Sequence, residues 1–173
     1  TNIEELIINI GEELKGKAES KGLKLETSID PKIKGQTLPI DKEKMLEVIS
    51  NLIDNGINYT HEGSITMQVN DLDDHMVISI KDTGIGIPAD KKQDIFKRFT
   101  RLENAKKIRP DGTGIGLYLA KSIVEAHKGE IWFESELNKG TTFFIKLGKK
   151  APVEDGSPVI DEQKIIEQSK NLH

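Results

Sequence analysis

"PDGTGIGLYLAK", residues 110–121, sets glycines at 112, 114 and 116 directly before a stretch with helical spacing. Glycine lacks a Cβ, so alternate glycines predict a backbone that turns sharply or passes very close to another group. Placed before a helix, such a loop aims backbone N–H groups at an anion, and the helix dipole favours the same charge. Residue identity excludes one phosphate loop and argues against another. A Walker loop needs Lys and then Ser or Thr after its last glycine, where this chain has Leu117. A dinucleotide turn needs its third glycine one place later and a buried strand before it, and "NAKKIRPD" is too polar for that strand. On the glycines alone, a flexible hinge explains the stretch as well as a phosphate loop does.

Downstream, Leu117, Ala120, Ile123 and Val124 share one helical face that ends near "HKGE", and "GEIWFESE" and "TTFFIKLG" read as a strand pair joined by "LNKG". Upstream, "ADKKQDIFKRFTRLENAKKIRPDGTG" begins helix-like and then loses its apolar period, which predicts a short helix and a mobile loop. Before it, "GSITMQVN" and "HMVISIKD" predict a hairpin across "DLDD". Met45, Val48, Ile49, Leu52, Ile53 and Ile57 mark a helix that Asp41 can cap, preceded by "DPKIKGQTLPI", a turn and a short strand. Ile3, Leu6, Ile7, Ile10 and Leu14 mark a first helix over 3–18, and Gly22 then opens the alternating "LKLETSI". Residues 151–173 change to Pro, Gly, Ser and mixed charge around a weak "IIEQSKNL", which predicts a tail or linker.

The 173-residue chain is 35% hydrophobic and 31% charged, the balance of a soluble globular domain. Without cysteine there is no disulfide frame, thiol nucleophile or Cys-based zinc site, and four scattered histidines offer no close ligand pair. No apolar run approaches the ~20 residues of a membrane span, and the acidic start "TNIEELIINIGEELKG" is unlike a secretion signal. A net charge of −4 gives no general attraction to nucleic acid, so neither a membrane nor a nucleic acid is an expected partner.

Three motifs carry chemistry. Asn51, Asn55 and Asn58 fall on one stripe of the middle helix, although asparagine is a poor helix former. A solvated face explains them, and so does oxygen ligation of Mg²⁺, which takes hard oxygens together with phosphate. In "KDTGIGIP", Asp82 ends a strand and Gly84 and Gly86 follow, which suits a common turn or a carboxylate accepting from an exocyclic amine beside a flat ring. Lys91, Lys92, Lys97, Arg98, Arg101, Lys106, Lys107 and Arg109 cluster between the two glycine motifs, most of them as a solvated basic face.

In order and at these separations, "NLIDNGINYT", "DTGIGIP", "IFKRF" and "GTGIGL" resemble the N, G1, F and G2 boxes of sensor histidine kinases. "HKGEIWFES" and "KGTTFFIKL" resemble later parts of the same domain, so the likeness covers roughly residues 23–148. The resemblance implies the α+β fold shared by gyrase, Hsp90, histidine kinases and MutL, known as the GHKL or Bergerat fold. That fold is a two-layer α/β sandwich with a mixed, mostly antiparallel sheet, helices on one face and a mobile ATP lid. The resemblance also implies ATP and Mg²⁺ as cofactors. Asn55 would be the Mg²⁺ ligand, Asn51 would support the phosphate and water shell, and Arg101 would face the phosphates; these three would form the catalytic set. Asp82 would bind the adenine amine with help from Thr141, and Tyr59 would lie beside the nucleotide. Gly84, Gly86, Gly112, Gly114 and Gly116 would allow close backbone approach, with Ile87, Thr113, Ile115 and Leu117 bordering the nucleotide. Phe96 and Phe99 would anchor the near end of the lid. Asn58 would stand at the nucleotide where many relatives carry a basic residue.

The hydrolytic relatives carry a water-activating Glu where this chain has Asn51, and an amide is not a useful general base. By resemblance the reaction is therefore phosphoryl transfer to an external nucleophile, through positioning and charge neutralisation. That nucleophile would be a histidine on a separate dimerisation domain, and a response regulator receiver domain would follow in the relay. His61, His75, His127 and His173 lack the helical context of family acceptors, so the acceptor is expected outside this chain. Residues 1–18 would then be the end of the acceptor-helix domain, 19–150 the ATP-binding catalytic domain and 151–173 the tail, in a cytoplasmic, monomeric fragment. The competing expectations are an ATP-driven clamp of the gyrase or Hsp90 type and a catalytically silent nucleotide-binding docking module. A serine kinase of the anti-sigma type fits the "IFKRF" box less well.

Overall fold

The computed structural model describes residues 1–101, 108, 110 and 112–150. The basic residues Lys106, Lys107 and Arg109, most of the mobile-loop expectation and the tail 151–173 lie outside these residues.

Five strands form one sheet: β1 (Lys24–Ile29), β2 (Ser64–Asp71), β3 (His75–Asp82), β4 (Glu130–Glu136) and β5 (Gly140–Gly148), in the order β1-β2-β3-β5-β4. β1 runs parallel to β2 and the other three pairs are antiparallel, so the sheet is mixed and mostly antiparallel as expected. Alternation decides which face is covered. Ile65, Met67 and Val69 of β2, Met76, Ile78 and Ile80 of β3, and Ile145 and Leu147 of β5 are all buried on one face. On the other face Trp132 and Phe144, directly paired across β4 and β5, stack with ring centroids 5.1 Å apart.

Among the described residues, three α-helices cover the apolar face: α1 (Ile3–Ser20), α2 (Lys42–Tyr59) and α3 (Gly116–Ala126). α1 buries Ile3, Leu6, Ile7, Ile10, Leu14 and Ala18 in the same core as α2 and the sheet. Its start is capped by Asn2, whose side chain accepts from Glu5 N–H. α2 is capped as expected, with Asp41 Oδ1 accepting from Lys44 N–H at 3.0 Å. His127, at the end of α3, accepts the Asp41 N–H at 3.1 Å through Nε2 while Nδ1 faces Ile123 O at 2.8 Å, which ties the start of α2 to the end of α3.

Two local expectations change. The short strand expected within "DPKIKGQTLPI" is a single bridge between Asn2 and Thr37, since Pro39 has no N–H with which to extend a ladder. The short helix expected in the front half of "ADKKQDIFKRFTRLENAKKIRPDGTG" is a 3₁₀ turn over Ala89–Asp94. None of its six residues is buried, so no apolar face holds a longer helix in place.

Candidate functional site

At one end of the sheet, α2, the turn after β3, residues 95–101, residues 112–117 and β5 surround a cleft of about 270 Å³. α2 supplies Asn51, Asn55 and Tyr59, each four residues from the last. Asp82 stands at the end of β3, Gly86 and Ile87 on the turn after it and Thr141 on β5, while Arg101 closes residues 95–101 and Gly112, Thr113, Gly114, Gly116 and Leu117 come from residues 112–117. Thus most of the site set read from the sequence meets in one place. Ile85, Ile95, Thr100 and Phe143 line the cleft as well. Phe143 was legible in principle, because it stands two places after Thr141 on a strand and so shares its face.

Gly84, Ile115 and Asn58 are not on the cleft wall. Ile115 is buried in the core. Asn58 faces α1: its Oδ1 accepts from Lys21 Nζ at 2.9 Å, one turn beyond a Lys17–Asp54 pair at 2.7 Å. The cleft therefore takes one edge of the α2 stripe, Asn51 to Tyr59, and α1 takes the other edge, Asp54 to Asn58.

The glycines serve packing within the protein. A methyl group at Gly84 would run into Tyr59 O and lie 2.9 Å from Thr60 Oγ1, so its absence lets the turn tuck beneath the end of α2. Gly86 has φ 64°, in the left-handed region, and a methyl there would meet Glu136 O. Gly112 and Gly114 lie over Arg101, with 3.2 Å to Nη2 and 2.9 Å to Cγ from the position of a Cβ. At Gly116 the same position is 2.6 Å from Asn51 Oδ1. The alternate glycines at 112, 114 and 116 thus make room for Arg101 and Asn51.

Asp82 is 8% exposed, and its Oδ1 accepts from Gly84 N–H at 2.9 Å and Thr141 N–H at 3.1 Å. Burial pushes its pKa above the ordinary carboxylate value, and these two N–H bonds act in the opposite direction. Both bonds use Oδ1, so Oδ2 is the oxygen offered to the cleft.

Across the cleft, Arg101 Nη1 donates to Pro110 O at 2.8 Å. Arg98 donates to Tyr118 Oη at 2.8 Å with its guanidinium 4.6 Å from the ring centroid, and this bond first, then one from Ser122, lowers the Tyr118 pKa. Phe96 packs edge-on against Phe133 and Phe143 at 5.8 and 6.4 Å. Phe99 is 41% exposed at φ 60°, so of the two expected anchors Phe96 alone is seated in the aromatic cluster. α3 begins at the cleft wall with no side-chain cap on its first turn, leaving the N–H groups of that turn unclaimed by a capping side chain. No helix among the described residues is long and apolar enough to cross a membrane.

Residues 40–151 match the model of the histidine kinase-, DNA gyrase B- and HSP90-like ATPase family. The chain is 40% identical over 119 residues to the sensor histidine kinase WalK of Bacillus subtilis (strain 168), covering 67% of this chain and 20% of WalK. It is 45% identical over 112 residues to the sensor protein SrrB of Staphylococcus aureus (strain NCTC 8325 / PS 47), covering 63% of this chain and 19% of SrrB. The chain thus spans about a fifth of the length of these curated relatives. Among solved structures, the catalytic domain of histidine kinase ThkA superposes with a TM-score of 0.74 at 26% identity, covering 86% of this chain and 93% of that one. The five-stranded mixed sheet with helices on one face is therefore the GHKL catalytic-domain fold, and the chain belongs to the histidine kinase-, DNA gyrase B- and HSP90-like ATPase family.

Proposed function

We propose that this domain binds Mg²⁺·ATP in the cleft and donates the γ-phosphate to a histidine on a separate dimerisation domain, with a response regulator receiver domain as the next acceptor. The observation that carries this reading is the position of Asn51, on the cleft wall against the first residue of α3. Among the described cleft residues Asp82 is the only carboxylate, and it is fixed at the sheet end by two N–H bonds. An amide cannot take a proton from water, so Asn51 can orient phosphate or water and cannot act as a general base. A cleft that holds ATP without activating water suits transfer to an incoming nucleophile, where positioning and charge neutralisation supply the catalysis.

Asp82 and Thr141 would hold the adenine end. Asn55 suits Mg²⁺ by the chemistry of its carboxamide oxygen, with Asn51 one turn before it; when bound, the metal would neutralise charge on the transferred phosphate. The α3 N-terminus and Arg101 would meet the phosphates from the opposite wall, Arg101 exchanging its bond to Pro110 O for phosphate oxygen. His61, His75 and His127 stand off the cleft wall, and His127 is held by Asp41 and Ile123.

A transfer assay with labelled ATP and a supplied acceptor domain tests this reading. Asn55→Ala and Asp82→Ala are expected to abolish transfer while remaining folded. Full transfer by either variant removes that residue from the site, and rapid ATP hydrolysis by the wild-type chain alone would favour a clamp ATPase.

A further inference from the structure

Ser135 lies on β4, half-buried and behind the cleft wall rather than on it. Its Oγ has one proton to give and two lone pairs to receive. Gly140 O, 3.0 Å away, can only accept, so the Ser135 proton belongs there. Ile87 N–H donates to Oγ at 2.8 Å and occupies one lone pair. The remaining lone pair faces Thr141 Oγ1 at 2.9 Å, which makes Thr141 the donor in that contact. The opposite assignment would set Ser135 Oγ and Gly140 O lone pair against lone pair at 3.0 Å in a half-buried place.

With its proton drawn back to Ser135, the Thr141 hydroxyl has only lone pairs left for the cleft. Asp82 beside it is a carboxylate whose Oδ1 is already taken by Gly84 and Thr141 N–H groups. This end of the cleft therefore presents acceptors alone. The exocyclic amine of a 6-aminopurine has two N–H groups to give to two facing acceptors, whereas a 6-oxopurine offers a single N1–H and sets the lone pairs of its oxo group against those of the wall. Resting on the reading of the cleft as a nucleotide site, we infer that Ser135 is a positioning residue that sets the preference for a 6-amino over a 6-oxo purine by fixing Thr141 as an acceptor.

Calorimetric titration with ATP and with inosine triphosphate, Mg²⁺ present, tests this. The wild-type chain is expected to prefer ATP on the order of tenfold or more. Ser135→Ala frees the Thr141 proton to turn into the cleft and is expected to narrow that preference about tenfold, partly through better inosine triphosphate binding. Ser135→Thr keeps the hydroxyl and is expected to hold the ratio within about threefold of wild type. A merely structural role would weaken both nucleotides together, and an unchanged ratio in Ser135→Ala overturns the inference. If that variant does not fold, Ser135→Cys, a weak donor of similar size, takes its place: a narrowed ratio supports the inference and an unchanged one overturns it. A wild-type chain that binds ATP without preference overturns the role of Ser135 alone, and one that binds neither nucleotide overturns the reading of the cleft with it.

Discussion

Asp82 is a buried carboxylate kept by two backbone donors, and its burial sets a sign that can be measured. Its raised pKa means that the folded chain keeps this proton over a pH interval in which the unfolded chain has lost it. The stability attached to the group is full below the unfolded value and is lost as pH rises through the folded value. Asp82→Asn is therefore expected to have a urea midpoint at about pH 7 equal to or above that of wild type, the gap closing toward about pH 4. Its ATP affinity is expected to fall at least about tenfold, because the amide turns a donor to the cleft; a lowered midpoint at neutral pH would contradict the sign. Two glycines separate fold from function at the same scale. Gly84→Ala meets the backbone of α2 at Tyr59 and is expected to cost about 2–3 kcal/mol in denaturant titrations. Gly116→Ala meets the Asn51 carboxamide first, at 2.6 Å, a side chain that can turn aside, so it is expected to change stability by less than about 1 kcal/mol while severely reducing transfer in the labelled-ATP assay. Equal damage to stability by both would show that Asn51 cannot turn aside.

At the scale of elements, the start of α2 was legible because capping is local. Asp41, three residues before the N–H it accepts, needs no knowledge of the rest of the fold. Asp41→Ala is expected to lower stability by about 1 kcal/mol, read as a shift in the denaturation midpoint. The bond from Lys44 N–H holds the Asp41 pKa below the ordinary value, so this part of the stability is present above the unfolded value and is lost as pH falls through the folded one. Asp41→Asn keeps an accepting oxygen and is expected to retain most of the cap while losing that acid dependence. What the sequence did not disclose lies in pairings between distant elements. Nothing local to "LKLETSI" says that it lies parallel to β2, and nothing local to Asn58 says that Lys21 will claim it rather than the cleft. Ser135 carries no local signal for the same reason, since its partners Ile87, Gly140 and Thr141 come from a turn and a neighbouring strand. The cleft set was legible because its residue types, two amides a turn apart, a strand-end carboxylate and alternate glycines, are each unusual in their local setting.

At the scale of the whole molecule, α1 shares the core of the nucleotide-binding layer. Ile3, Leu6, Ile7 and Ile10 are fully buried; at ~1.5–3 kcal/mol each their burial is comparable with the ~5–15 kcal/mol that holds a typical domain together. Deleting residues 1–20 is expected to abolish a cooperative thermal transition, and a melting temperature within a few degrees of the full chain would show that the rest closes its own core. The pairing of β3 with β5 extends this to the growing polypeptide. The middle of the sheet joins residues 75–81 to 142–148, so one edge of β3 stays bare until nearly the whole domain has been synthesised. At ~5–20 residues per second on the ribosome, that edge, rich in Val and Ile, remains exposed for seconds to any other unpaired strand. The domain therefore completes its fold only after β5 emerges, and chains released before β5 are expected to aggregate rather than persist as half-sheets, so their yield in solution depends on the speed of synthesis and on chaperones that shield an open strand.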